Sequence, residues 1–120
     1  IVTGRTEEQL SRSREAVRTQ LAFYGTTPAY QSVFELHGYG DLHPHLKQLA
    51  REDKWSEMGA LIDDELLETI AVVGEPSEIG DKLRSRLAGI SDSVSLVNNR
   101  APDPENFAEV VRDLQSPAAQ

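Results

Sequence analysis

Ile70-Ala71-Val72-Val73-Gly74-Glu75-Pro76-Ser77, followed by a helical run to Gly89 and then by Ser93-Val94-Ser95-Leu96-Val97, is the stretch that decides the fold. Residues 70–73 are short, apolar and partly β-branched, which suits a buried strand. Gly74 and Pro76 end that strand. Pro76 has no amide hydrogen to lose at a first helical position, and its fixed φ already fits a helix. Ile79, Leu83 and Leu87 recur every four residues and share one helix face, while Lys82, Arg84 and Arg86 flank it late in the helix, where the dipole favours cations. Gly89 stops the helix and Ser93–Val97 reads as a second strand. Strand, crossover helix, strand is a βαβ unit. Its two parallel strands need neighbouring strands and covering helices, so the unit asks for more sheet than this chain contains.

Working outward, Ile1-Val2-Thr3 reads as the end of another strand and Gly4 as its exit. The opening lacks a methionine and looks like a strand end rather than a natural start. Thr6 and Gln9 form a capping box, with Glu7 and Glu8 in the first helical turn. Leu10, Val17, Leu21 and Tyr24 then mark one face of a helix over residues 6–24. Gly25-Thr26-Thr27-Pro28 breaks it, and a helix follows from Pro28 to Leu36. His37-Gly38-Tyr39-Gly40 is a turn, and Asp41 is placed to cap the next helix, with Pro44 in its opening turn. Trp55, Met58, Leu61 and Ile62 form a further stripe, and Asp63 or Asp64 starts a short helix leading to Ile70. Pro104 opens a last helix with Phe107, Val110, Val111 and Leu114. Residues 25–69 thus read as a helical insertion between one strand-helix unit and the next. The expected divisions are 1–24, 25–69, 70–115 and a frayed tail, 116–120.

Composition narrows the function classes. The 120 residues carry a formal charge of -8 and no cysteine. A surface of that sign repels nucleic-acid backbones, and neither a disulfide framework nor a thiolate metal site is available. No apolar run approaches membrane-spanning length and no signal peptide is visible, so neither a membrane nor a nucleic-acid partner is expected, and a cytoplasmic setting is the default.

Aromatic and histidine side chains concentrate between Phe23 and Trp55. Such a cluster suits the wall of a pocket beside a planar ligand, or simply the packing of inserted helices. His37 lies at a glycine-lined turn. His43 and His45 point apart if their segment is helical, and without HExxH or a carboxylate set no metal site is expected. Gly74-Glu75-Pro76-Ser77 offers helix-start amides to an anion, but it is neither a P-loop nor GxGxxG.

Phe23-Tyr24-Gly25-Thr26-Thr27-Pro28-Ala29-Tyr30, Glu35-Leu36-His37-Gly38, Trp55-Ser56-Glu57-Met58 and Asp64-Glu65, together with Ala71-Val72-Val73-Gly74-Glu75-Pro76-Ser77-Glu78-Ile79 and Val94-Ser95-Leu96, resemble the C-terminal part of luciferase-like flavin- or deazaflavin-dependent oxidoreductases, most closely the actinobacterial F420-dependent subgroup. The resemblance covers residues 1 to about 115 and implies a C-terminal fragment of a (β/α)8 TIM barrel, α/β in class and mostly helical by residue count. Ile1–Thr3 would be the end of the sixth strand, residues 70–73 and 93–97 the seventh and eighth, and residues 25–69 a helical insertion over or beside the barrel mouth. The implied function is hydride transfer between coenzyme F420 and an organic substrate, with FMN-dependent monooxygenation as the alternative; the competing class is a complete, non-catalytic α/β interaction domain. Tyr24, Tyr30, His37, Tyr39 and Trp55 are the candidates for a cofactor or substrate pocket, with no residue assigned as catalytic acid or base. Most cofactor contacts would come from the first five β/α units, so the fragment is expected to be inactive alone. Its partner would be those units as a second chain, or another copy through the open barrel edge, besides a small-molecule substrate.

Overall fold

The computed structural model describes residues 1–96 and 102–116. The elements are β1 (Val2–Thr3), α1 (Glu7–Gly25), a 3-10 turn (Pro28–Tyr30), α2 (Gln31–Leu36), α3 (Leu42–Arg51), α4 (Trp55–Gly59), α5 (Asp64–Ile70), β2 (Val73–Gly74), α6 (Pro76–Leu87) and α7 (Pro104–Gln115). The architecture is α/β and mostly helical. Among the described residues the sheet has two parallel strands, with Val2 opposite Val73 and Thr3 opposite Gly74. The chain divides into two compact units, residues 1–16 with 71–120, and residues 17–70.

The first unit holds the sheet. Val72, the residue just before β2, is buried, and Ile79 and Leu83 of α6 and Val110 of α7 close a core around it. Ile79 and Val110 are fully buried, and Ile1, Leu87, Leu96 and Leu114 pack at the margin. Pro76 opens α6 as expected. The cap is Glu75, whose side chain accepts from the Glu78 amide while the Glu78 carboxylate accepts the Glu75 N–H at 2.9 Å. Gly89, at φ +73, follows the end of this helix. Two ion pairs and a hydrogen bond tie α7 and its N-cap residue to their neighbours. Arg12 of α1 holds both Asp103 oxygens at 3.1 and 3.2 Å, Arg5 pairs with Glu109, and Arg84 of α6 donates to the Asp113 carbonyl at the end of α7.

The second unit is all helix. Its buried side chains include Leu21 and Ala22 of α1, Phe34, Leu46, Met58, Ile62, and Leu66 and Leu67 of α5. Gly25, the last residue of α1, is buried against the Leu46 and Phe34 side chains, which already fill the space a Cβ would need.

Several local expectations are corrected. The strand expected at 70–73 starts later, because Ile70 completes α5; that helix is started by Asp63, whose carboxylate accepts the Leu66 N–H at 2.8 Å. Residues 93–96 of the expected strand at 93–97 have no regular secondary structure, and Val97 lies outside the described residues. Ser93, Val94 and Ser95 are exposed, and the Ser91 hydroxyl donates to the Ser93 carbonyl at 2.5 Å, a local side-chain bond of the kind that competes with regular structure. The single helix expected over 28–36 is a 3-10 turn followed by α2. Asp41 makes no side-chain cap, since its own backbone is already helical at φ -69, ψ -16. At the start of α1 only half of the expected capping box forms. Thr6 Oγ1 accepts the Gln9 N–H at 3.1 Å, but the Gln9 side chain accepts from Arg5 N–H and Asn106 Nδ2 instead of returning to Thr6.

Candidate functional site

The five candidate residues all fall in the helical unit, residues 17–70. Tyr24 ends the apolar face of α1, and the break at Gly25–Thr27 turns the chain so that Tyr30 comes back over it. The two rings stack, with centroids 4.9 Å apart and planes inclined by 28°. Gln20 Nε2, one turn earlier, donates to the Tyr24 hydroxyl at 2.9 Å and fixes that ring. Phe23 extends the group, tilted at 6.3 Å from Tyr24. Tyr30 keeps 43% of its surface exposed and Phe23 51%, so the stack presents an open aromatic edge.

Tyr39 is held differently. The turn at 37–40 needs a left-handed residue, supplied by Gly38 at φ +84. The turn brings the Tyr39 hydroxyl to the Asp63 carboxylate at 3.3 and 3.5 Å. Partial desolvation, then the negative charges of Asp63 and Glu65 and the bond to Asp63, hold the Tyr39 phenol above its ordinary value. Asp63 therefore has two tasks, starting α5 and anchoring this turn. The sequence marks it only as a helix start.

His37 is exposed at the C-terminus of α2, where its backbone N–H donates to the Phe34 carbonyl at 3.2 Å. Trp55 opens α4 and is 48% exposed. The structure thus brings Tyr24 and Tyr30 together and gives Tyr39 an acidic partner, and it leaves His37 and Trp55 on the surface. Of the other histidines, His45 is exposed, whereas His43 is half-buried with Nδ1 2.8 Å from the Gly25 carbonyl at the end of α1. Among the described residues no group of three or more His, Asp or Glu side chains could hold a metal ion.

The other place where chemistry gathers is the C-terminal end of the two strands. In open parallel sheets, ligands bind outside these ends. The Thr3 N–H donates to Ser13 Oγ at 3.1 Å, while Thr3 Oγ1 is buried with no hydrogen-bond partner among the described residues. Opposite it, Gly74 has no side chain, and a Cβ there would lie 2.8 Å from Glu78 Oε2 and 3.0 Å from Lys82 Nζ. Lys82 Nζ donates to the Val73 carbonyl at 2.8 Å. The anion-binding expectation for Gly74–Ser77 meets an obstacle here. The capping box already satisfies two of the backbone N–H groups and sets two carboxylates at the helix start. In chain order, residues 26–72 join the end of α1 to the beginning of β2, so they follow a helix and precede a strand.

Sequence comparison matches residues 3–92 to the luciferase-like monooxygenase family. The chain belongs to that family. Uncharacterized proteins from Mycobacterium bovis and from two strains of Mycobacterium tuberculosis are similar to it. Each is 48% identical over 94 residues, covering 78% of this chain and 28% of the relative. The chain therefore spans little more than a quarter of the length of the curated relatives it matches. No solved structure matches it. Among the described residues no helix is long and apolar enough to cross a membrane.

Proposed function

We propose that this chain is the C-terminal segment of a luciferase-like oxidoreductase that uses a flavin-type cofactor on a small organic substrate. The observation that carries the reading is the family match over residues 3–92, which runs from the last residue of β1 through α1, the helical insertion, β2 and α6. The parallel pairing of Val2–Thr3 with Val73–Gly74 supports placing the two strands as sixth and seventh neighbours in a (β/α)8 barrel. Residues 93–97 would become the eighth strand only when a neighbour supplies ladder partners. The first five β/α units, as a separate chain or as the N-terminal part of a longer one, are the partner this reading requires; self-association through the open sheet edge is the alternative.

The matched family's description favours monooxygenation; reduced FMN would supply the two electrons, with one atom of O2 passing to the substrate and the other leaving as water. The residues around 23–30, 35–38 and 55–58 favour the second reading, hydride transfer with F420, by their resemblance to that subgroup. The described residues do not by themselves make a cradle for either cofactor. Tyr24 and Tyr30 cover each other, Tyr39 is turned to Asp63, and Arg5, Arg12 and Arg84 are engaged by Glu109, Asp103, and Asp81 with the Asp113 carbonyl. No chemical step is therefore assigned to a residue of this chain. Its role in the proposal is to complete the sheet and cover it with α6 and α7; Tyr24, Tyr30, His37, Tyr39 and Trp55 are the side chains proposed for contact with cofactor or substrate, singly rather than as one preformed wall.

The test is to co-express the chain with the N-terminal units of a close relative and to titrate the complex with FMN, reduced FMN and F420. Flavin binding with substrate-dependent oxygen uptake supports the first reading. F420 binding with hydride transfer and no oxygen uptake supports the second. A stable complex that binds none of the three overturns the oxidoreductase reading. Within a binding complex, Tyr30→Ala and Trp55→Ala test the two most exposed tyrosine and tryptophan candidates. An unchanged cofactor affinity and unchanged KM in both removes these two residues from the pocket.

A further inference from the structure

We draw no further inference here: the strongest candidate, the apolar groove of about 310 Å³ that Leu83 and Leu87 of α6, Leu114 of α7 and Val94 line in the first unit, is an unpartnered apolar surface, and nothing in the structure shows what covers it.

Discussion

Replacing Gly25 by alanine sets two opposed effects against each other at one atom. Gly25 is the last residue of α1, and its backbone is not left-handed, so alanine can adopt its conformation. On that ground alone Gly25→Ala should stabilise by about 0.4–1 kcal/mol, through the lower entropy of the unfolded chain. The new methyl group, however, would overlap the Leu46 Cδ1 methyl and lie 3.4 Å from Phe34 Cζ. A flexible surface leucine would swing away, but Leu46 is fully buried and Phe34 is 3% exposed, so neither has free space to move into. Overpacking of this kind costs about 1–3 kcal/mol. The larger effect wins, and the expected net loss is about 1–2 kcal/mol. In urea denaturation of the full chain that loss lowers the midpoint by about 1 M, for a slope of roughly 1–2 kcal/mol/M. Two controls isolate the cause. Gly59→Ala ends a helix where the nearest atom to the new methyl is Thr19 Oγ1 at 4.0 Å, so it should be neutral or slightly stabilising. Leu46→Ala should cost about 2–5 kcal/mol alone, yet in its background Gly25→Ala should no longer destabilise, because the overlapping methyl is gone. A Gly25→Ala variant at least as stable as the parent, or an unchanged penalty in the Leu46→Ala background, would refute the reasoning.

Other perturbations probe the strand ends and the Tyr39 turn. Ser13→Ala strands the buried Thr3 N–H without its acceptor and should cost about 1–3 kcal/mol in denaturation, whereas Ser13→Thr should retain much of the stability; equal losses in the two variants would show that the hydrogen bond is not the cause. Glu78→Ala opens the capping box of α6 and should cost about 0.5–2 kcal/mol; an unchanged denaturation midpoint would show that the reciprocal bonds contribute nothing net. In a Tyr24→Phe/Tyr30→Phe background Tyr39 is the sole tyrosine, and its phenolate absorbance should rise above the ordinary tyrosine value of about 10. Because the folded state holds that proton to higher pH than the unfolded chain, the stabilisation is fully present below the unfolded value and is lost as pH rises through the folded one. Asp63→Asn should move the titration back toward 10; a folded-state titration at or below that value would show that Asp63 and Glu65 do not act on the phenol.

Position-by-position physics in the sequence located most of the elements. The four-residue spacing of Ile79, Leu83 and Leu87, with Pro76 at the opening, specifies α6 without reference to anything distant, and Phe107, Val110 and Leu114 behind Pro104 do the same for α7. Gly38 and Gly89 marked turns for which the structure uses a positive φ. The caps were harder to read. Thr6, Asp41 and Asp63 look alike as helix starters, and which of them bonds to its helix depends on neighbours. Asp63 accepts the Leu66 amide and meets Tyr39 from 24 residues away, Thr6 accepts one amide, and Asp41 accepts none from its helix.

What the sequence determined by itself was the set of local periodicities, the acidic surface and the strand-helix order that made a parallel sheet necessary. These follow from side-chain spacing and from the few dihedral choices that glycine and proline permit. Tertiary structure decided the pairings between residues far apart in the chain. It placed Val2 on Val73, buried Gly25 under Leu46, stacked Tyr30 on Tyr24 and turned Tyr39 to Asp63. It also withheld strand character from residues 93–96, because a β-strand, unlike a helix, cannot satisfy its own backbone and exists only where another strand comes to meet it.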